Sequence, residues 1–127
     1  MTLRPLRPVN EIALSEGTTS IATSPVAAQV VVPTAGFISR VFASSTGTTT
    51  GTITVAVAIN GGSDICNSLL TIPAGAGYVG ATVELTLVGA GSTSGVIVNE
   101  GDTITFTPSG GTGTTIGGAF TAIVRTI

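Results

Sequence analysis

The stretch GTITVAVAIN, residues 51–60, decides the fold. In an extended chain Ile53, Val55, Val57 and Ile59 fall on one face, and Thr52, Thr54, Ala56 and Ala58 on the other. A helix would scatter these positions around its axis; a period of two gathers the large β-branched residues on one side. Asn60-Gly61-Gly62 then supplies residues that accept positive φ, which marks a turn. The apolar face has to be covered. No segment reads as a helix long enough to do it, so the expected cover is a second sheet.

Toward the C-terminus the same punctuation continues. Leu69–Ile72 is a short strand closed by Pro73-Ala74-Gly75. Thr82–Val88 alternates, with Val83, Leu85 and Leu87 on one face. Gly95–Val98 is short, and Asn99-Glu100-Gly101-Asp102 is a turn. Thr103–Thr107 directs Ile104 and Phe106 inward, and Ala119–Thr126 does the same with Phe120, Ala122 and Val124. Toward the N-terminus lie Gln29–Val32, ended by Pro33-Thr34-Ala35-Gly36, and Phe37–Ser44. Both faces of Phe37–Ser44 are partly apolar, with Arg40 in the middle, and the pattern alone assigns neither face inward. Eight short strands with frequent turn signals predict an all-β domain over residues 28–127. The expected architecture is an eight-stranded, jelly-roll-like antiparallel β-sandwich, with an immunoglobulin-like sandwich as the alternative.

Residues 1–27 read differently. Pro5, Pro8 and Pro25 break any helix or central strand, and X-Pro steps favour extended geometry. The expectation is an extended N-terminal arm. A disordered tail is the alternative, but its Leu, Ile and Val content argues against that. Leu3, Leu6, Val9, Ile12 and Leu14 supply apolar anchors, and Arg4 and Arg7 a tether to an acidic surface. These seven residues are the candidate partner-binding positions.

Composition limits the chemistry. Of 127 residues only 8% are charged, against roughly 25% in ordinary domains. Such a chain suits an assembly in which neighbours cover much of its surface. There is no Lys, no His and no Trp, and the net charge is −2. Without His there is no Ser-His-Asp or Cys-His site and no His-built zinc site. Without Lys there is no Schiff base and no P-loop. No basic patch marks nucleic acid as a partner. No run approaches the ~20 apolar residues of a spanning helix. Four Phe and one Tyr are too few for the girdles of a membrane barrel.

The single cysteine, Cys66, allows no internal disulfide and has no His or Lys to activate it, so it is expected to be inert. No signal-peptide run follows Met1, so synthesis in a reducing cytoplasm is expected. Glu100 and Asp102 are the only carboxylates close in sequence. A calcium site there would need Asp64 or Glu84 as well, and the simpler reading is a tight turn through Gly101. No catalytic residue, metal ligand or cofactor is expected. Tyr78, the one aromatic in an obvious loop, is a candidate interface residue.

An extended arm, then GTITVAVAING, LTIPAGA and VNEGDTITFTPSGG in that order, resembles the jelly-roll domains of tailed-bacteriophage head decoration (cement) proteins. The resemblance implies a virion protein on the capsid exterior that binds the major capsid protein, forms homo-oligomers, usually trimers, and has no catalytic residues. Heads of phage fibres look similar and imply a receptor- or carbohydrate-binding module instead. Met1 opens a short arm rather than a shaft, which favours decoration. A carboxylate-dependent glycosidase is the third and weakest reading.

Overall fold

The computed structural model describes residues 11–66, 70–75, 80–85, 96–113 and 115–126, which form nine strands and no helix. They are β1 (Glu11–Thr18), β2 (Ala28–Val31), β3 (Gly36–Ser45), β4 (Ile53–Ile59), β5 (Leu70–Ile72), β6 (Gly80–Glu84), β7 (Val96–Val98), β8 (Thr103–Ser109) and β9 (Gly118–Thr126). All pairings are antiparallel.

With β7 set aside, the pairings nest: β1 with β9, β2 with β8, β3 with β6, β4 with β5. This is one long hairpin rolled on itself. The rolling contacts β3–β9 and β4–β8 then close two sheets, ordered β1-β9-β3-β6 and β2-β8-β4-β5. The result is a jelly roll. The short β7 pairs with the first residues of β3, on the edge that β6 occupies further along.

The central strand behaves as its alternation dictates. Ile53, Val55 and Val57 are fully buried and Ile59 partly so, while Thr54, Ala56 and Ala58 face outward. The cover is the other sheet. Phe106 of β8 and Phe120 of β9 stack across the interior with centroids 5.1 Å apart and planes 6° from parallel. Around them pack Ile38, Val41, Leu70, Ile72, Ile104 and Val124, all fully buried, each stabilising by about 1.5–3 kcal/mol relative to exposure. Asn60 and Gly61 take φ of 52° and 75°, ending β4 as the Asn-Gly-Gly signal requires. Leu87 lies outside the described residues.

β3 shows why its inward face was illegible. The register with β9 slips between Ile38 and Arg40, a bulge at Ser39. Ile38 and Val41, three residues apart, therefore both point inward, while Phe37, Arg40 and Phe42 point outward. A pattern of strict period two cannot describe that strand.

The sandwich boundary moves from residue 28 to residue 11. The segment expected as arm contains β1, paired along all eight residues with β9. β1 is the outermost partner of the nested hairpin, so the eight strands of the jelly roll include it and leave β7 as the extra. Ile21 and Ala22, in the connection to β2, are core residues with 0% and 2% exposure. Gly118 makes room for Ile21: a Cβ there would lie 2.5 Å from Ile21 Cγ2. Glu16-Gly17 interrupts the apolar alternation that Ile12 and Leu14 begin, so β1 is defined by its partner strand more than by its own pattern.

Candidate interaction surface

The groups with chemistry in them are occupied structurally. The Asp64 carboxylate accepts hydrogen bonds from the backbone N–H groups of Val57 (3.1 Å) and Cys66 (3.0 Å), fastening the loop after β4 to that strand. Burial pushes the Cys66 thiol up to about 12, helped by the negative charge of Asp64 and a hydrogen bond to it. The thiol stays protonated at neutral pH and is a poor nucleophile. Asp102 accepts from Asn60 Nδ2 (3.0 Å) and from the Asn99 N–H (2.8 Å), and Asn60 Oδ1 in turn accepts from the Thr103 N–H (2.9 Å). Those bonds hold the Asp102 carboxyl below its usual range. The side chains of Asp102 and Asn60 thus tie the turn before β8 to the turn after β4, with Gly101 at φ 89°. Among the described residues no three His, Cys, Asp or Glu side chains gather into a metal-binding group.

What the molecule offers is surface. The outer face of β2-β8-β4-β5 presents Gln29, Val31, Thr54, Ala56, Ala58, Thr71, Thr103, Thr105 and Thr107, without a charge. The outer face of the other sheet is less uniform. The registers set Glu11, Arg125, Phe37 and Ile97 in one transverse row; Ala13, Ile123, Arg40 and Glu84 in the next; Ser15, Thr121, Phe42 and Thr82 in the third; Gly17, Ala119, Ser44 and Gly80 in the last. Ile97 is 60% exposed. Phe37, Phe42 and Ile123 are half-buried.

Charge on this face is held in place by its neighbours. Glu11 lies 3.7 Å from Arg40 and 3.6 Å from Arg125, ion pairs too long for hydrogen bonds. Each guanidinium also sits over a ring, Arg40 over Phe42 at 5.8 Å and Arg125 over Phe37 at 5.7 Å. Exposed pairs of this kind are worth up to about 1 kcal/mol each. Their effect here is to order long side chains across β1, β9 and β3.

The candidate residues from the sequence divide. Leu3, Arg4, Leu6, Arg7, Val9 and Tyr78 lie outside the described residues. Ile12 and Leu14 do not belong to a free arm. They sit on the inward side of β1, half-buried, and Leu14 packs against the core. Their side chains turn toward the interior rather than outward to a partner. Missed by the sequence reading were the outward residues Phe37, Arg40, Phe42, Ile97, Ile123 and Arg125. The signal existed in the last strand: with Phe120, Ala122 and Val124 inward, Ile123 and Arg125 had to face out.

The chain matches no protein-family model, and its sequence matches no curated protein.

Proposed function

We propose that this chain is a non-catalytic structural protein of a tailed-phage virion. In this reading it binds the outside of the assembled head as a homo-oligomer and cements neighbouring major capsid subunits. The supporting observation is a jelly roll whose two outer faces, among the described residues, carry little net charge. One is mostly Thr and Ala, with Gln29 and Val31 at its β2 edge; the other sets four large apolar side chains among Arg40, Arg125 and Glu11, with Glu84 opposite Arg40 in register. Surfaces of that composition suit burial by neighbours better than life as a free monomer. The Asp64 and Asp102 carboxylates fasten loops and turns, which favours contact over catalysis as the working property.

Attachment falls to residues 1–10, which lead into edge strand β1 and carry Leu3, Arg4, Leu6, Arg7 and Val9. Ten extended residues span at most about 33 Å, enough to cross onto a neighbouring subunit. Arg4 and Arg7 suit bidentate pairing with carboxylates there. Pro5 and Pro8 lower the entropy lost on ordering. Co-sedimentation tests the reading: purified protein is mixed with phage particles grown without it. The full chain is expected to saturate the particles, and a version lacking residues 1–10 to bind weakly while melting normally. Failure of the full chain to sediment with particles would overturn the proposal.

A further inference from the structure

We infer that Asn60 is a site of spontaneous deamidation, restrained by its hydrogen bonds to the turn before β8. Asn60-Gly61 is the one Asn-Gly step in the sequence. The reaction requires the backbone nitrogen after the asparagine to reach the side-chain carbon, and a following residue without Cβ obstructs that approach least. The pair forms the two central residues of a tight turn. Both have positive φ, 52° and 75°, and the Gly62 N–H donates to the Ile59 carbonyl at 3.0 Å. Both residues are exposed, so water and base reach them. A Cβ built on Gly61 would meet nothing within 4 Å, which leaves room beside the turn for a ring to close.

The step needs only water and its ions. Base takes the proton from the Gly61 N–H, the nitrogen adds to Asn60 Cγ, and the Cγ–Nδ2 bond breaks to release ammonia, its last proton drawn from solvent. Water then opens the cyclic imide at one carbonyl or the other, giving aspartate or isoaspartate; nothing is oxidised or reduced. The restraint is the grip on the side-chain amide. Nδ2 donates to the Asp102 carboxylate at 3.0 Å, and Oδ1 accepts from the Thr103 N–H at 2.9 Å. Cγ swings toward the Gly61 nitrogen only when those bonds are given up. The change is one-way. A carboxylate at residue 60 offers Asp102 no N–H and repels it, and isoaspartate also lengthens the backbone of the turn. Either product unties the end of β4 from the start of β8.

The inference is independent of the proposed function. The full chain, folded, is aged in mildly alkaline buffer, and peptide mass spectrometry follows conversion at Asn60 and separates aspartate from isoaspartate. Asp102→Ala removes the acceptor and should speed conversion at least roughly 10-fold, the worth of a hydrogen bond to a charged group. Asp102→Asn, which keeps a neutral acceptor, should fall between that variant and the parent. The parent unfolded in urea should convert at least as fast as Asp102→Ala. Ile21→Ala lowers stability elsewhere and keeps the tie, so it should convert at the parental rate. Asn60→Asp, which makes the product directly, should lower Tm at neutral pH. An Asp102→Ala rate equal to or below the parent's would overturn the restraint. No conversion at Asn60 in that variant, over a span that converts the unfolded chain, would overturn the site. An acceleration in Ile21→Ala equal to that in Asp102→Ala would place the chemistry in the unfolded chain and overturn the role of the tie. A parental Tm for Asn60→Asp would overturn the structural consequence.

Discussion

Ile21→Ala separates a sandwich that starts at residue 11 from one that starts at residue 28. In the latter, residue 21 belongs to an arm and its truncation changes nothing. In the structure Ile21 has no exposed surface, its backbone N–H donates to the Ile116 carbonyl at 2.8 Å, and its side chain fills the space above Gly118. Removing a buried Ile side chain to Ala costs about 2–5 kcal/mol, the lost transfer energy plus the cavity left behind. Against a total stability of about 5–15 kcal/mol this is a large share. At about 3–6 °C per kcal/mol for a domain of this size, a mid-range cost of ~3 kcal/mol lowers Tm by roughly 10–18 °C. Circular dichroism melts of parent and variant measure it. Gly118→Ala gives an independent check, because the added methyl collides with Ile21. Destabilising alone, it should cost less in the Ile21→Ala background, and the coupling energy of the cycle reports the contact. A change in Tm below ~2 °C for Ile21→Ala would refute the placement of this segment in the core. So would a chain lacking residues 1–25 that melts like the parent.

Three further outcomes are expected. Cys66 should react with a thiol reagent at pH 8 on the order of a thousandfold more slowly than a free cysteine, and unfolding in urea should abolish the difference; a native rate near that of free cysteine would contradict the burial of the thiol. Asp102 has a depressed folded-state pKa, so its contribution is present above the ordinary value of 3.8 and is lost as pH falls below it. The Tm gap between parent and Asp102→Asn should therefore narrow below pH 3.8, and a gap constant with pH would refute the linkage. Gly36→Ala would place a Cβ 2.2 Å from the Arg125 carbonyl oxygen, backbone that cannot yield without breaking the β3–β9 ladder; a variant with parental Tm would contradict that close approach.

The two-layer all-β architecture was legible because β4, β8 and β9 each keep strict alternation, and because Gly, Asn and Pro punctuate the chain where turns occur. β1 was not, for a physical reason. An edge strand buries one side only partly, so its sequence needs few apolar residues, and Glu16-Gly17 can sit within it without harm. Its existence depends on pairing with β9 more than 100 residues away, a non-local contact that no local pattern encodes. The bulge at Ser39 hid β3 by changing its phase. The interaction surface was partly readable: once inward residues are assigned, outward ones follow. That step places Ile123 and Arg125 directly, but Phe37, Arg40 and Phe42 only after the bulge is known. The roles of Asp64 and Asn60 were not legible, since each depends on a bond to another segment, Asp64 to the Val57 N–H and Asn60 to Asp102 and the Thr103 N–H.

The most direct test of the functional reading is an electron cryomicroscopy reconstruction of phage particles assembled with and without this chain. The expected result is density for a jelly roll on the outer surface of the head, bridging neighbouring capsid subunits, absent when the chain is absent, with the bare heads losing resistance to heat. Heads identical in the two preparations, or the extra density found at the tail tip, would contradict it.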